Sequence, residues 1–137
     1  IGGVNAFPLE FPHMALLGYG TEEDIQWLCG GSLISEKFVL TAAHCIYSRF
    51  GNVAYVNLGV HQLSSIKTYE QRFKVKNTYQ YPNYNPLQSY NDIALLELEG
   101  KVFIGPDTIR PACLQTERNI DRNVFIATGW GAVEIGG

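Results

Sequence analysis

Helical periodicity is weak along this chain, while short runs rich in β-branched and aromatic residues recur between Gly, Pro and Asn clusters, and that pattern points to a fold of short strands. Gly51-Asn52, Tyr81-Pro82-Asn83-Tyr84-Asn85-Pro86 and Gly105-Pro106-Asp107 each stand between runs rich in β-branched and aromatic residues. Gly and Pro set backbone angles that suit turns, and the runs between them suit a pleated, half-buried surface. Strands are expected near residues 13–19, 25–34, 37–40, 54–59, 70–79, 92–98 and 123–128, with one helical turn over 42–46. The expected class is all-β. The first six strands suffice for one small closed antiparallel barrel. The last, N-V-F-I-A-T, would only begin a second, because a lone strand is not a domain. No repeat, low-complexity tract or flexible linker divides the sequence.

With 137 residues, 46% of them hydrophobic, the chain can bury one core, or a small domain plus part of another. Charged residues make up only 17%, the formal net charge is −3, and there is no Lys/Arg block. Nothing therefore supplies the counterion release that nucleic-acid binding requires, and an anionic membrane is disfavoured for the same reason. No apolar run approaches the roughly 18 to 20 residues of a membrane span. The opening I-G-G-V has neither a start methionine nor a signal-peptide pattern, so the chain reads as processed. Three cysteines are present, Cys29, Cys45 and Cys113, and an odd count in a secreted chain points to a partner chain or a free thiol. The lack of a C-x-x-C pair argues against zinc and dithiol redox chemistry. No N-x-S/T sequon bears on the compartment.

Two residues stand out as chemistry. His44, in T-A-A-H-C, carries the side chain whose ordinary pKa of about 6.5 suits proton transfer near neutrality. A single histidine is more often a structural residue than a catalytic one. If Cys45 were bonded to Cys29, the staple would close a loop of 16 positions, contribute roughly 3 kcal/mol and fix the turn that carries His44. Asp92 heads the apolar run N-D-I-A-L-L-E-L, where a carboxylate needs a partner. It either caps local backbone or accepts the Nδ1 proton of an imidazole, leaving Nε2 free as a base. His13 and His61 have no acidic or cysteine neighbour in sequence and read as strand or turn residues. Glu22, Glu23 and Asp24 read as a solvated hairpin tip. Ser32, in C-G-G-S-L, lacks the G-x-S-x-G spacing of a nucleophile elbow and reads as a sheet residue. The tyrosine-rich stretch 78–90 could reach substrate near the histidine, but such loops are more often packing material.

The segments C-G-G-S-L-I-S, V-L-T-A-A-H-C, N-D-I-A-L-L-E-L, I-R-P-A-C-L and A-T-G-W-G, in this order and across the whole chain, resemble the trypsin and chymotrypsin-like serine proteases. The resemblance implies a secreted, extracellular endopeptidase made as a zymogen and acting on protein substrates. Its active site uses a Ser-His-Asp triad in which His44 is general base and acid and Asp92 its orienting partner. It also implies a Cys29–Cys45 bridge, a first six-stranded barrel over residues 1–105, and a connector and incomplete second barrel over 106–137. The family's later G-D-S-G-G segment, with the nucleophile and oxyanion amides, has no counterpart here. A missing C-terminal half is therefore the expected partner, and the chain alone is expected to be inactive. The alternative is a catalytically inactive homologue, a binding or regulatory protein whose other half has lost the serine.

Three further expectations come with the resemblance. The family's mature chain opens with two apolar residues before Gly-Gly, and its free amine pairs with an aspartate beside the serine. Here Ile1 alone precedes Gly2-Gly3, so a residue is expected before it. Cys113, in R-P-A-C-L, is the candidate for an interchain disulfide to a retained pro-segment, and F-P-H-M-A-L-L-G looks like the arthropod proteases with an amino-terminal clip domain. Calcium is not expected, because the loop following V-N-L-G has Glu70 as its only acid and calcium takes six to eight oxygens. No other metal or cofactor is implied.

Overall fold

The computed structural model describes residues 2–64, 71–106 and 108–135. Ile1, Glu70 and Asp107 lie outside them, and so does the expectation attached to each.

Among the described residues eight strands form, and six close into a barrel. They are β1 (Met14–Thr21), β2 (Asp24–Leu33), β3 (Phe38–Thr41), β4 (Tyr47–Ser48), β5 (Gly51–Asn52), β6 (Tyr55–Leu58), β7 (Gln71–Gln80) and β8 (Ala94–Leu98). The barrel runs β1-β2-β3-β8-β7-β6 with every neighbouring pair antiparallel, while β4 and β5 make a separate two-stranded ribbon. The six strands expected to form a barrel are the six that do. Closure removes the exposed sheet edges that so short a set would otherwise present.

Alternation explains which side chains face inward. In β8, Ala94, Leu96 and Leu98 are buried while Leu95 and Glu97 between them are not. In β3, Val39 and Thr41 point in. Ala15, Leu17, Tyr19, Leu33, Val56 and Leu58 complete the interior with them. Burying each large aliphatic side chain contributes about 1.5–3 kcal/mol before the entropy of ordering it is counted. Between β2 and β3 the backbones lie too close for any side chain at Gly31. A Cβ there would sit 2.7 Å from Val39 Cγ1 and 2.9 Å from the Leu40 carbonyl oxygen.

The acidic tip is a hairpin end, as expected: Glu22 and Glu23 are exposed between β1 and β2, with Thr21 paired to Asp24. After β8 the chain wraps the barrel. Val102 and Ile109 enter its core, and the Ala112 amide donates to the Leu33 carbonyl at 2.7 Å. The strand expected over 123–128 is absent. Those residues join no ladder, and Val124, Phe125 and Ile126 are 81%, 72% and 79% exposed. A β-forming sequence without a neighbouring strand leaves its backbone groups to water. Among the described residues no helix is long and apolar enough to cross a membrane.

Candidate active site

His44 and Asp92 are 48 residues apart in sequence and meet because two barrel strands end side by side. Thr41, the last residue of β3, pairs with Ala94, the first of β8. The chain leaving β3 and the chain entering β8 therefore pass each other at one end of the barrel. Beyond Thr41, Ala42 is extended and Ala43–Cys45 form a single 3₁₀ turn, within the expected 42–46. That turn places His44 at the barrel's rim.

The approach to β8 is shaped by backbone. Asn91 has φ of 62°, in the left-handed region that asparagine tolerates better than most residues. The Ile93 amide then donates to the Asn91 carbonyl at 2.9 Å, a three-residue turn centred on Asp92. This turn starts β8 at Ala94 rather than at the expected 92. The Asn91 side-chain amide also donates to the Asn83 carbonyl at 3.3 Å, tying the Tyr81–Pro86 turn to the same place.

The two readings of Asp92 turn out to be compatible, one for each oxygen. Its Oδ1 accepts the backbone amide of His44 at 2.8 Å, capping a turn whose own Ala42 has no capping side chain. Its Oδ2 lies 2.6 Å from His44 Nδ1. An ionised carboxylate can only accept, so Nδ1 carries the proton of this contact, and in the neutral ring Nε2 is left with its lone pair. The imidazole hydrogen bond, then the backbone amide of His44, hold the Asp92 carboxyl below the usual carboxylate range, against a smaller opposing effect of desolvation. The His44 side chain is 62% exposed and that of Asp92 30%. Nε2 thus belongs to a ring open to solvent, oriented from its other side.

The turn is anchored from beneath. Cys45 is bonded to Cys29 of β2, their Cα atoms 6.1 Å apart, and Cys45 itself is buried. Thr41 Oγ1 donates to the Gly30 carbonyl at 2.9 Å, one residue along from that bridge. The hydroxyl of Tyr19 donates to the Cys45 carbonyl, a contact the sequence reading missed. Its only sequence signal is parity: Tyr19 lies on the inward face of β1 with Ala15 and Leu17. Cys29, Cys45 and His44 are close enough in space to suggest metal ligands, but the two sulfurs are bonded to each other and offer no thiolates.

The remaining candidates fall elsewhere. His13 is half-buried and packs edge-on against Phe11, ring centroids 6.5 Å apart. His61 is exposed, and neither pairs with a carboxylate among the described residues. Ser32 is a sheet residue, paired with Met14 and Leu40. Cys113 is an exposed free thiol.

The Trypsin family profile matches residues 1–137. "Serine protease snk" of Drosophila melanogaster is 38% identical over 98% of this chain and 32% of its own length. "Granzyme M" of Homo sapiens is 39% identical over 100% of this chain and 51% of its own. "CLIP domain-containing serine protease C9" of Anopheles gambiae is 38% identical over 96% and 35%. A solved structure described as "Structure of GrC" superposes with a TM-score of 0.71 at 34% identity, covering 83% of this chain and 48% of that one. This chain spans about half or less of the length of these relatives.

Proposed function

The chain belongs to the trypsin family of serine proteases, and we propose that it supplies the histidine and aspartate of a Ser-His-Asp triad in a secreted endopeptidase that cleaves protein substrates. The observation that carries this reading is the His44–Asp92 contact. Nδ1 is held at 2.6 Å on a carboxylate that also caps the histidine's own amide, while the ring stays exposed.

The chemistry follows from that arrangement. A serine hydroxyl within reach of Nε2 loses its proton to the imidazole as its oxygen attacks the substrate carbonyl. The imidazolium that forms is stabilised by Asp92, which stays ionised. The proton then passes from Nε2 to the leaving nitrogen as the peptide C–N bond breaks, and water repeats the cycle to free the acyl group. Aspartate in this role keeps the tautomer correct and does not itself take the proton.

On this reading the nucleophile and the oxyanion amides come from sequence beyond these residues. Residues 1–105 form the first barrel, 106–137 form the connector and the start of a second, and these residues alone are inert. Ile1, or a residue before it, is the activating terminus of a zymogen. Cys113, exposed and unbonded, is the point where a retained pro-segment is disulfide-linked. Loss of that segment on reduction, seen in the intact mass of the full-length protein, supports the link; no released peptide rejects it.

The function itself is tested by His44→Ala in the full-length protease, assayed on peptide esters and amides. Loss of hydrolysis with unchanged folding is expected. Retained hydrolysis contradicts the assignment, and hydrolysis by the 137-residue chain alone contradicts its inertness.

A further inference from the structure

The barrel interior holds a titratable side chain that the triad does not use. Tyr19 is 1% exposed and packs in the core with Leu17, Val56 and Leu96, and its hydroxyl donates to the Cys45 carbonyl. A phenol usually finds a partner when buried, but this partner is the residue next to His44.

His44 has little of its own to hold it still. Its ring is 62% exposed, and its 3₁₀ turn is closed by Cys45 amide to Ala42 carbonyl at 3.0 Å and Ile46 amide to Ala43 carbonyl at 3.1 Å, with Asp92 on the His44 amide from outside. Such turns have poor hydrogen-bond geometry and little stability alone. The bridge to Cys29 fixes the Cys45 sulfur, while in the peptide plane beyond it the turn's own bond holds the Ile46 amide edge, to the Ala43 carbonyl at 3.1 Å. The Tyr19 hydroxyl fixes the carbonyl. The two restraints reach Cys45 from adjacent strands, since Leu17 of β1 pairs with Cys29 of β2 and Tyr19 lies two residues further along β1. Burial pushes the Tyr19 phenol up to about 12, so it stays a donor at any pH where the protein works.

We propose that Tyr19 is a positioning residue for the catalytic pair: its hydroxyl locks the Cys45 carbonyl and so holds the turn where both the amide and the imidazole of His44 meet Asp92. The proposal rests on the protease reading above. Without the hydroxyl the buried carbonyl is orphaned, and the peptide turns to find another donor. His44 then moves relative to Asp92, and a displacement of about 1 Å in a reacting constellation costs up to roughly 10²-fold.

The test is Tyr19→Phe in the full-length protease, which keeps the ring and removes only the donor. The expected result is a fall in kcat of about tenfold at unchanged KM, shrinking to no effect when Asp92→Asn has already broken the contact. An equal fall in both backgrounds overturns the proposal, and so does a lower melting temperature with unchanged kcat. The His44 Nδ1–H proton resonance gives an independent reading. Its upfield move in Tyr19→Phe supports the proposal and an unmoved signal refutes it, even if the full-length protein hydrolyses nothing and the protease reading fails. 3-Fluorotyrosine at position 19 retains ring and donor and is expected to leave both readouts at the parent values. A matching loss there assigns the effect to packing and rejects the hydroxyl's role.

Discussion

Residues 14–98 and residues 113–135 contain similar β-forming stretches, and among the described residues only the first stretch forms strands. Leu96 in A-L-L-E-L is fully buried, whereas Ile126 in V-F-I-A-T is 79% exposed. The local preference is the same, but β8 lies between β3 and β7 while 123–128 has no strand beside it. Neighbours make a strand, because ladder bonds and a covered face offset the entropy of extending the chain. The histidines teach the same lesson. His44 has a carboxylate and a stapled turn against it, His61 has solvent, and nothing in the imidazole distinguishes them.

Four changes would break or sharpen the contrast between the held region and the uncovered one. The largest effect is expected from Asp92→Asn in the full-length protease. The kcat is expected to fall by about 10⁴, the size of loss this change produces in the serine-protease triad. A loss below tenfold in steady-state assays would mean that the contact is not catalytic. Within the barrel, Leu96→Ala is expected to cost about 2–5 kcal/mol in denaturant unfolding, since a fully packed site is left with a cavity.

Replacing both Cys29 and Cys45 by alanine removes a crosslink across 16 positions, and a loss of about 3 kcal/mol is expected. The uncovered segment behaves differently in two settings. Ile126→Ala is expected to change stability by less than about 0.5 kcal/mol in the 137-residue chain. In the full-length protein, where we place it in a second barrel, about 2 kcal/mol or more is expected. Equal small effects in both would break the proposed division at residue 105.

The pH dependence tests Asp92 directly. Its folded pKa is lowered, so its contribution to stability is complete above the ordinary carboxylate range and is lost as pH falls through the lowered value. A carboxyl carbon titration read by NMR should place Asp92 below the usual range. A midpoint at or above that range would contradict the hydrogen bonds from His44 that hold the carboxyl low.

Much of this was legible in the sequence because it rests on spacing and residue type. The turn at Tyr81–Pro86 marks a break in the barrel and the apolar alternation marks its inward faces, whereas Gly51-Asn52, expected as a turn, forms β5 and the turn falls just before it, at 49–50. The barrel, the helical turn at 42–46 and the prominence of His44 and Asp92 followed from such patterns, and the five family-like segments sharpened them. What stayed hidden depends on distant contacts. No pattern at Tyr19 names Cys45 as its partner, 26 residues away. The two-residue strands β4 and β5 are too short to leave a periodic signal. The late start of β8 comes from the backbone of Asn91, and the missing strand at 123–128 from the lack of a neighbour.

The central claim is that His44, among three histidines, is the base that faces substrate. It is tested most directly by treating the active full-length protease with a peptide chloromethyl ketone, which alkylates an imidazole nitrogen lying beside the bound peptide, and mapping the adduct by mass spectrometry. The predicted result is one adduct, on Nε2 of His44, formed in step with loss of activity and absent after Asp92→Asn. Inactivation with the adduct on His13, His61 or any residue outside this chain, and His44 unmodified, would contradict the account.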